Sequence, residues 1–412
     1  MNQADTAWML VSTALVLLMT PALAFFYGGL VRSRHVLNTM MMSVVSLGIV
    51  GVLWAVIGYS LAFAPGSPYL GGLSHIFLRG VGLEGMGPAG DQIPHLLYMC
   101  YQGTFAIITA ALISGAIVER MRFSAYVVFI TLWSLLVYSP VAHWVWGGGW
   151  LATMGALDFA GGTVVHVNAG AAALVAAYVV GPRRDYPSGS MLPHNIPFTL
   201  LGAGLLWFGW FGFNAGSALA ANGSAVLAFT TTMLGPAATL LVWMLLDLVR
   251  SRNPTAVGGA TAIVVGLVAI TPAAGFVGPM SALAIGGIAA IPSYFALLYR
   301  ARTSLDDSLD VVAAHGLGGT VGALLTGVFA QKALNGVANG VLFGNPGQFV
   351  IQLTAVAASI AYSGVMTFVL LKVVGEFMPL RADYEAEGLG MDLSQHGEEA
   401  YVHAGGGGTS AL

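Results

Sequence analysis

Residues 158–170 read Asp158-Phe-Ala-Gly-Gly-Thr-Val-Val-His166-Val-Asn-Ala-Gly170, and residues 307–319 read Asp307-Ser-Leu-Asp-Val-Val-Ala-Ala-His315-Gly-Leu-Gly-Gly319. In both, an aspartate stands eight residues before a histidine and a glycine four residues after it. Both histidines lie inside long apolar runs. Of the nine histidines, His35, His75, His194, His396 and His403 fall in loops or the tail, and His95 and His143 at the ends of apolar runs. One histidine in such a run reads equally well as a core residue bonded to a carbonyl. Two at matching places point to a shared site in the middle of the molecule.

The composition around these segments excludes a water-soluble domain. Of 412 residues, 57% are hydrophobic and 8% charged, whereas soluble domains carry about a quarter of their residues as Asp, Glu, Lys or Arg. Disorder is excluded by the same apolar excess. The 56 glycines are scattered through apolar runs, as expected where membrane helices pack closely. Cys100 is the single cysteine, which removes a disulfide framework and a cysteine-built metal site. No third histidine lies in a run to complete a metal site, no nucleophile–base pair is visible, and the net charge of −3 offers nothing to nucleic acid. The reading is a non-enzymatic, all-α polytopic membrane protein without cofactor or metal.

A membrane-spanning helix needs about 20 mostly apolar residues. On that criterion the sequence predicts eleven transmembrane helices, over 6–31, 37–64, 95–117, 123–143, 157–181, 195–217, 224–249, 256–272, 277–299, 309–331 and 348–376. Ala22-Leu23-Ala24 resembles a signal-peptide cleavage site, but the leader has no positive charge and the apolar run continues beyond it. Arginines punctuate alternate loops: Arg32 and Arg34, Arg120 and Arg122, Arg183 and Arg184, Arg250 and Arg252, Arg300 and Arg302. With Lys372 and Arg381, twelve of the fourteen basic residues fall on one side, against Arg79 and Lys332 on the other. Basic residues mark the cytoplasmic side, which places the N-terminus outside and the C-terminus inside. Residues 1–376 read as the transmembrane domain and 377–412 as a cytoplasmic tail. Five spans per half (6–181 and 195–331) give the halves opposite orientation, a 5+5 inverted repeat with the eleventh helix appended.

Asp158 cannot touch His166, because eight helical residues rise about 12 Å; accepting hydrogen bonds from turn amides is its expected role, with direct ion coordination the alternative. The tail holds Asp383, Glu385, Glu387, Asp392, Glu398 and Glu399 with no Lys or Arg between the first and the last. On composition alone this tail reads as a solvated, free terminus, as Gly405 to Gly408 are expected to be. The arginine loops offer a surface on which residues 387–401 are nonetheless expected to dock, with Leu389, Leu393 and Tyr401 as apolar anchors, an expectation that also rests on the family resemblance below.

Residues 158–170, continuing to Gly181-Pro182-Arg183, resemble the signature of ammonium transporters. So do Phe26-Tyr27-Gly28-Gly29-Leu30, Glu119-Arg120-Met121-Arg122-Phe123-Ser124, His143-Trp144-Val145-Trp146, Trp210-Phe211-Gly212-Phe213-Asn214-Ala215-Gly216-Ser217, Ala314-His315-Gly316 and His396-Gly397-Glu398. On these motifs the chain is identified as a member of the ammonium transporter, methylammonium permease and Rhesus family, on the bacterial or archaeal ammonium transporter branch. The resemblance implies a homotrimer in the cell membrane, each subunit with its own narrow apolar pore for ammonium or methylammonium. It implies an outer recruitment site of Trp146, Phe105 and Ser217, with Tyr101 where many members have another aromatic at the vestibule. It further implies a gate of Phe105 and Phe213, pore histidines His166 and His315, and an acidic signature residue, Asp158. The tail resembles the family's Gly-Leu-Asp…His-Gly-Glu motif with Gly390 and Met391 as two extra residues, and a nitrogen-signalling protein of the PII family is the partner expected at that face.

Ammonium is about as large as potassium, so size cannot select it. It differs in donating hydrogen bonds and in being able to lose a proton. Aromatic faces and a serine oxygen suit the first property; neutral imidazoles, with an intrinsic pKa near about 6.5, suit the second. The expected activity is ammonium uptake by deprotonation, with ammonia and proton following the twin histidines. Two other readings stay open: an ammonium sensor signalling through its tail, and a passive channel for neutral ammonia or carbon dioxide.

Overall fold

The computed structural model describes residues 1–84, 87–189 and 191–401; the glycine run 405–408 lies outside them. Among the described residues there is no β-sheet, only two isolated bridges. The spanning helices are α1 Gln3–Leu30, α2 Ser33–Phe63, α3 His95–Ser114, α4 Phe123–Met154, α5 Gly162–Val180, α6 Ile196–Ala218, α7 Gly223–Ser251, α8 Ala256–Ile270, α9 Pro279–Arg300, α10 Val312–Phe329 and α11 Gly347–Phe377. Ten are long and apolar enough to cross a membrane, and α8 is shorter. Together they match the eleven runs in order.

The ends differ from a pure hydropathy reading where polar groups set them. α5 and α10 begin at Gly162 and Val312, later than the apolar runs that start near 157 and 309. In each, an aspartate just upstream takes the free N–H groups of the first turn, which marks where helix begins. α3 and α8 stop at Ser114 and Ile270 and give way to turns.

Helices α1–α5 and α6–α10 form the two halves. α1 packs along α6, and α5 crosses α10 beside α11. Both histidine-bearing helices open with a π-helical turn, Gly162–Val167 and Val312–Leu317, a wide turn frequent at functional sites. The crossing is close because glycines occupy it. A Cβ on Gly170 would collide with Gly316 Cα and N and lie 3.3 Å from the His315 carbonyl carbon. A Cβ on Gly319 would lie 3.0 Å from His166 Cβ and 3.1 Å from the Gly162 oxygen. Each glycine of the Asp–His–Gly repeat therefore clears room for the histidine turn of the other half. α3 and α5 are largely enclosed, while α7 and α11 turn residues such as Val226, Leu241, Val350 and Val365 outward, as contact with lipid requires.

The arginine-rich face is tied by a buried ionic network. Arg32 meets Glu119 at 2.7 Å, Arg183 meets Glu119 at 3.4 Å and Asp306 at 2.8 Å, and Arg300 meets Asp310 at 2.8 Å. Buried Arg120 donates to the carbonyls of Ala116, Gly181 and Asp306. Burial alone would push Glu119 up, but the surrounding cationic groups, Arg183 and Arg32 among them, hold its carboxyl below the ordinary value. These four arginines are therefore engaged inside the body and are not open to the tail.

That changes how the tail docks. It forms α12 Tyr384–Leu389 and α13 Met391–His396, with Gly390 between them at φ 119. A Cβ on Gly390 would lie 2.7 Å from the Arg34 oxygen. Met391 is fully buried and donates its N–H to His35 Nδ1 at 3.1 Å; Asp392 accepts the Asn38 N–H at 2.8 Å, near the start of α2. His396 packs edge-on against Phe123, and Arg381 pairs with Glu387. Of the arginine pairs, Arg122 reaches Asp383 at 3.8 Å and Arg184 lies over the Tyr384 ring. Of the expected anchors, Leu389 and Leu393 stay 59% and 39% exposed, while Tyr401, 38% exposed, packs on the His194 ring with its hydroxyl 2.9 Å from His194 Nε2. Leu389 and Leu393 would share a face in one unbroken helix, but the break at Gly390 turns Met391 and Asp392 inward instead. Gly390 is the hinge and Met391 the buried contact of the docked tail.

Replacing Gly170 by Ala should lower thermal stability in detergent by more than the roughly 1–3 kcal/mol of ordinary overpacking, because backbone is what the methyl meets. Gly204 in α6 has nothing within 4 Å of its would-be Cβ, so Gly204→Ala should be neutral or slightly stabilising. Melting curves of the two variants side by side check this; equal losses would show that the α5–α10 approach is not limiting.

Candidate functional site

The aromatic and imidazole side chains form one line through the bundle. At the end away from the arginine network, Trp146 is half-buried, and its indole N–H donates to the Asp158 carbonyl at 2.9 Å. That bond fixes the ring and leaves its face for other contacts. Trp146 stands perpendicular to Phe105 of α3 at a centroid distance of 5.8 Å. Phe105 stacks on Phe213 of α6 at 4.2 Å and 28°. Phe213 lies 6.0 Å from the His166 ring, and His166 lies 5.2 Å from the His315 ring.

Ser217 and Tyr101 sit beside the upper part of this line. Ser217 Oγ donates to the Phe213 carbonyl at 2.8 Å, so its own hydrogen is used and its oxygen is left to accept. The Tyr101 ring packs edge-on against Phe105, but its hydroxyl is buried, within 2.9 Å of the Gly212 and Phe213 carbonyls and 3.2 Å of Ser217 Oγ. The hydroxyl therefore holds α6 in place.

His166 Nδ1 and His315 Nδ1 are 3.1 Å apart. Such a contact requires one imidazole to donate and the other to accept, so the two rings hold opposite tautomers. One Nε2 is then a donor and the other an acceptor. His166 Nε2 is buried and has no protein partner. The free space around the rings is narrow, about 10 Å³ for the centre of a water-sized sphere, with Leu112, Val165, Trp210 and Phe213 among its walls. Trp210 stacks on His166 at 5.4 Å and 19°, and its N–H is taken by Thr271 Oγ1 at 2.8 Å. Sequence reading quoted Trp210 within a motif without giving it a place; its spacing of three before Phe213, one helical turn, was the available signal.

Asp158 stands apart from the line. Its carboxylate accepts the N–H groups of Gly161, Gly162, Thr163 and Val164 at 2.6–3.0 Å, closing the first turn of α5. Asp307 does the same for α10 with two bonds, from Val311 at 3.1 Å and Val312 at 2.7 Å. On the side of the arginine network lies a cavity of about 340 Å³ bordered by Leu30, Tyr186, Arg300 and Asp310. Burial, together with the neighbouring Asp307 and against the pull of Arg300, pushes Asp310 up to about 7. Among the described residues no three His, Cys, Asp or Glu side chains converge as metal ligands would.

Apolar helices in two interlocked halves, with an aromatic-capped histidine pair between them, define a multi-pass membrane transport protein. The model of the Ammonium Transporter Family matches residues 7–401. An ammonium transporter of Bacillus subtilis (strain 168) is 48% identical over 403 residues, 97% of this chain and 99% of the relative. The crystal structure of Candida albicans Mep2 superposes with a TM-score of 0.89 at 35% identity, covering 97% of this chain and 90% of that one. A structure described as a sensor Amt protein gives 0.88 at 28% identity, covering 95% and 98%. The chain belongs to the ammonium transporter family.

Asparagine at either capping aspartate would turn an NH2 against amides that need an acceptor, and each buried mismatch costs about 1–3 kcal/mol. Asp158→Asn faces two such amides and Asp307→Asn one. Thermal unfolding should therefore show the larger loss for Asp158→Asn; a reversed order would contradict the capping assignment.

Proposed function

We propose that this protein takes up ammonium across the cell membrane, recruiting the cation at an outer aromatic site and passing ammonia and a proton separately along the histidine pair. The carrying observation is the unbroken sequence of Trp146, Phe105, Phe213, His166 and His315. In this reading the Trp146 end faces outside, the arginine-rich end faces the cytoplasm, and both the N-terminus outside and the docked tail inside follow from the charge distribution.

At the outer site the Trp146 face attracts a cation by about 0.5–2 kcal/mol, and the Ser217 oxygen accepts one N–H. Both contacts are weak enough to let the ion move on. The stacked pair Phe105–Phe213 then stands in the way of a hydrated ion. Beyond it an intact charge would lie among apolar side chains with little to solvate it, a costly state. Ammonium escapes that cost by giving up its proton; potassium has none to give. The opposed tautomers of His166 and His315 offer an acceptor and a donor in one pair, which supports relay of the released proton. Selectivity on this account lies in the barrier more than in the binding site.

The same subunits are proposed to assemble as homotrimers through their outward helix faces, with the docked tail and arginine loops as the surface for a PII-family regulator. A sensing role is the second reading, favoured by the likeness to the sensor structure. Passive conduction of neutral ammonia or carbon dioxide is the less supported one, because it leaves Trp146 and Ser217 without use.

Ammonium-evoked current across a planar lipid membrane holding the purified protein separates these readings. Wild type should carry ammonium and methylammonium and reject potassium. His166→Ala and His315→Ala should each lower the rate or admit potassium; unchanged rate and selectivity in both would exclude the relay. Trp146→Leu and Ser217→Ala should raise the half-saturating concentration about ten- to a hundredfold in combination, since the two contacts contribute about 1–3 kcal/mol.

A further inference from the structure

α11 belongs to neither half, yet one of its faces is polar. Gln348, Gln352, Ser359 and Ser363 recur at helical spacing and are all buried, Gln352 at 1% exposure. Ser363 donates to the Asn168 carbonyl of α5 at 2.8 Å. Gln352 does more. Its Oε1 accepts the Leu157 N–H at 2.7 Å, and its Nε2 donates to the Leu157 carbonyl at 2.7 Å and to the Ala323 carbonyl of α10 at 3.1 Å. One side-chain amide thus engages both polar groups of one residue's backbone and reaches across to the other histidine-bearing helix. Gln348 supports it, donating to the Gly155 carbonyl at 2.9 Å and reaching Gln352 Oε1 at 3.3 Å.

The residue held this way is the neighbour of Asp158. The Asp158 carbonyl receives the Trp146 indole N–H, and its carboxylate receives the amides that start the turn leading to His166. A leucine or methionine would fill the Gln352 site at lower desolvation cost in a membrane helix. The amide is explained by what it fixes. We infer that Gln352 is a positioning residue of the transport site: clamping Leu157 from α11, it sets Asp158, and through Asp158 both the orientation of Trp146 and the start of α5.

This rests on Trp146 being the recruiting aromatic, so the test has one arm that depends on that reading and one that does not. Full-length protein in proteoliposomes would be compared as wild type, Gln352→Met, Trp146→Leu and the double variant, by methylammonium uptake against concentration. Gln352→Met should raise the half-saturating concentration about three- to tenfold while leaving the maximal rate within about twofold. In the Trp146→Leu background it should add nothing further to the half-saturating concentration, because the recruiting contact through which it acts on that constant is already gone. Independent, multiplying effects would overturn the inference, as would an effect of Gln352→Met confined to the maximal rate. The second arm is hydrogen exchange over residues 155–164, which should quicken about tenfold or more in Gln352→Met and stay near wild type in Trp146→Leu. Unaltered exchange in Gln352→Met would overturn the clamp whatever the transport data show. If Trp146→Leu itself leaves uptake unchanged, the recruitment reading fails, and an altered concentration dependence in Gln352→Met alone would then overturn the route through Trp146. Gln348→Ala, which removes only the support, should give the same two changes at smaller size and serves where Gln352→Met does not assemble.

Discussion

The backbone-to-backbone approach of α5 and α10 is the constraint on which the rest of the structure depends. Two imidazoles can face each other at 3.1 Å only if the helices that carry them nearly touch. Gly170 against Gly316, and Gly319 against the turn of His166, supply that contact. Once it is made, both helices are short of ordinary partners. Each opens in a π-helical turn, each begins deep in the bundle, and each exposes first-turn amides where no water or lipid can satisfy them. Asp158 and Asp307 answer that need with buried carboxylates. Much of the remaining polar inventory serves the same two helices, including the α11 stripe and the Thr271 hydroxyl that holds Trp210 behind His166.

The halves repeat this plan and then diverge. Asp158 accepts four amides and presents its carbonyl to an indole; Asp307 accepts two and lies beside Arg300 and Asp310. One end of the path is thus finished with aromatic rings and hydroxyl oxygens, and the other with a network of guanidinium and carboxylate groups. A pseudo-symmetric frame brings two histidines together, and the line of rings that holds them has unlike ends.

How much of this was legible in the sequence follows from the range of each interaction. Eleven apolar runs and the alternation of arginine loops are properties of single segments, and they matched the helices in order. The Asp–His–Gly spacing is likewise local, and it identified the two turns that meet. The placement of Trp146, Phe105, Phe213 and Ser217 around one line came from resemblance to a family, since no spacing joins residues on three helices. What lay outside reach depends on contacts between distant segments. Nothing near Gln352 says that its amide meets Leu157, 195 residues away. Likewise the composition of the tail points to its acids and leucines, whereas Met391 and Asp392 dock because Gly390 breaks the helix before them. Trp210 is the intermediate case, within a motif already in view and one turn from Phe213.

The ionic network and the tail share one surface, and their strengths differ in a way that bears on regulation. Arg32, Arg183 and Arg120 are sunk among Glu119, Asp306 and backbone carbonyls, and breaking such a buried pair from one side costs about 3–5 kcal/mol. The tail is held by contacts of two kinds: Met391 and Asp392 buried against His35 and Asn38, with Glu387 buried on Arg381, and exposed pairs such as Arg122–Asp383 at the rim. Exposed pairs of that sort contribute about 0.2–1 kcal/mol each. The helical body therefore holds its shape on terms that the tail does not set. Asp392 on Asn38 and His396 on Phe123 give the tail direct hold on the starts of α2 and α4. An element that grips two spanning helices at their ends is placed to bias their arrangement, by as much as its contacts differ between one arrangement and another.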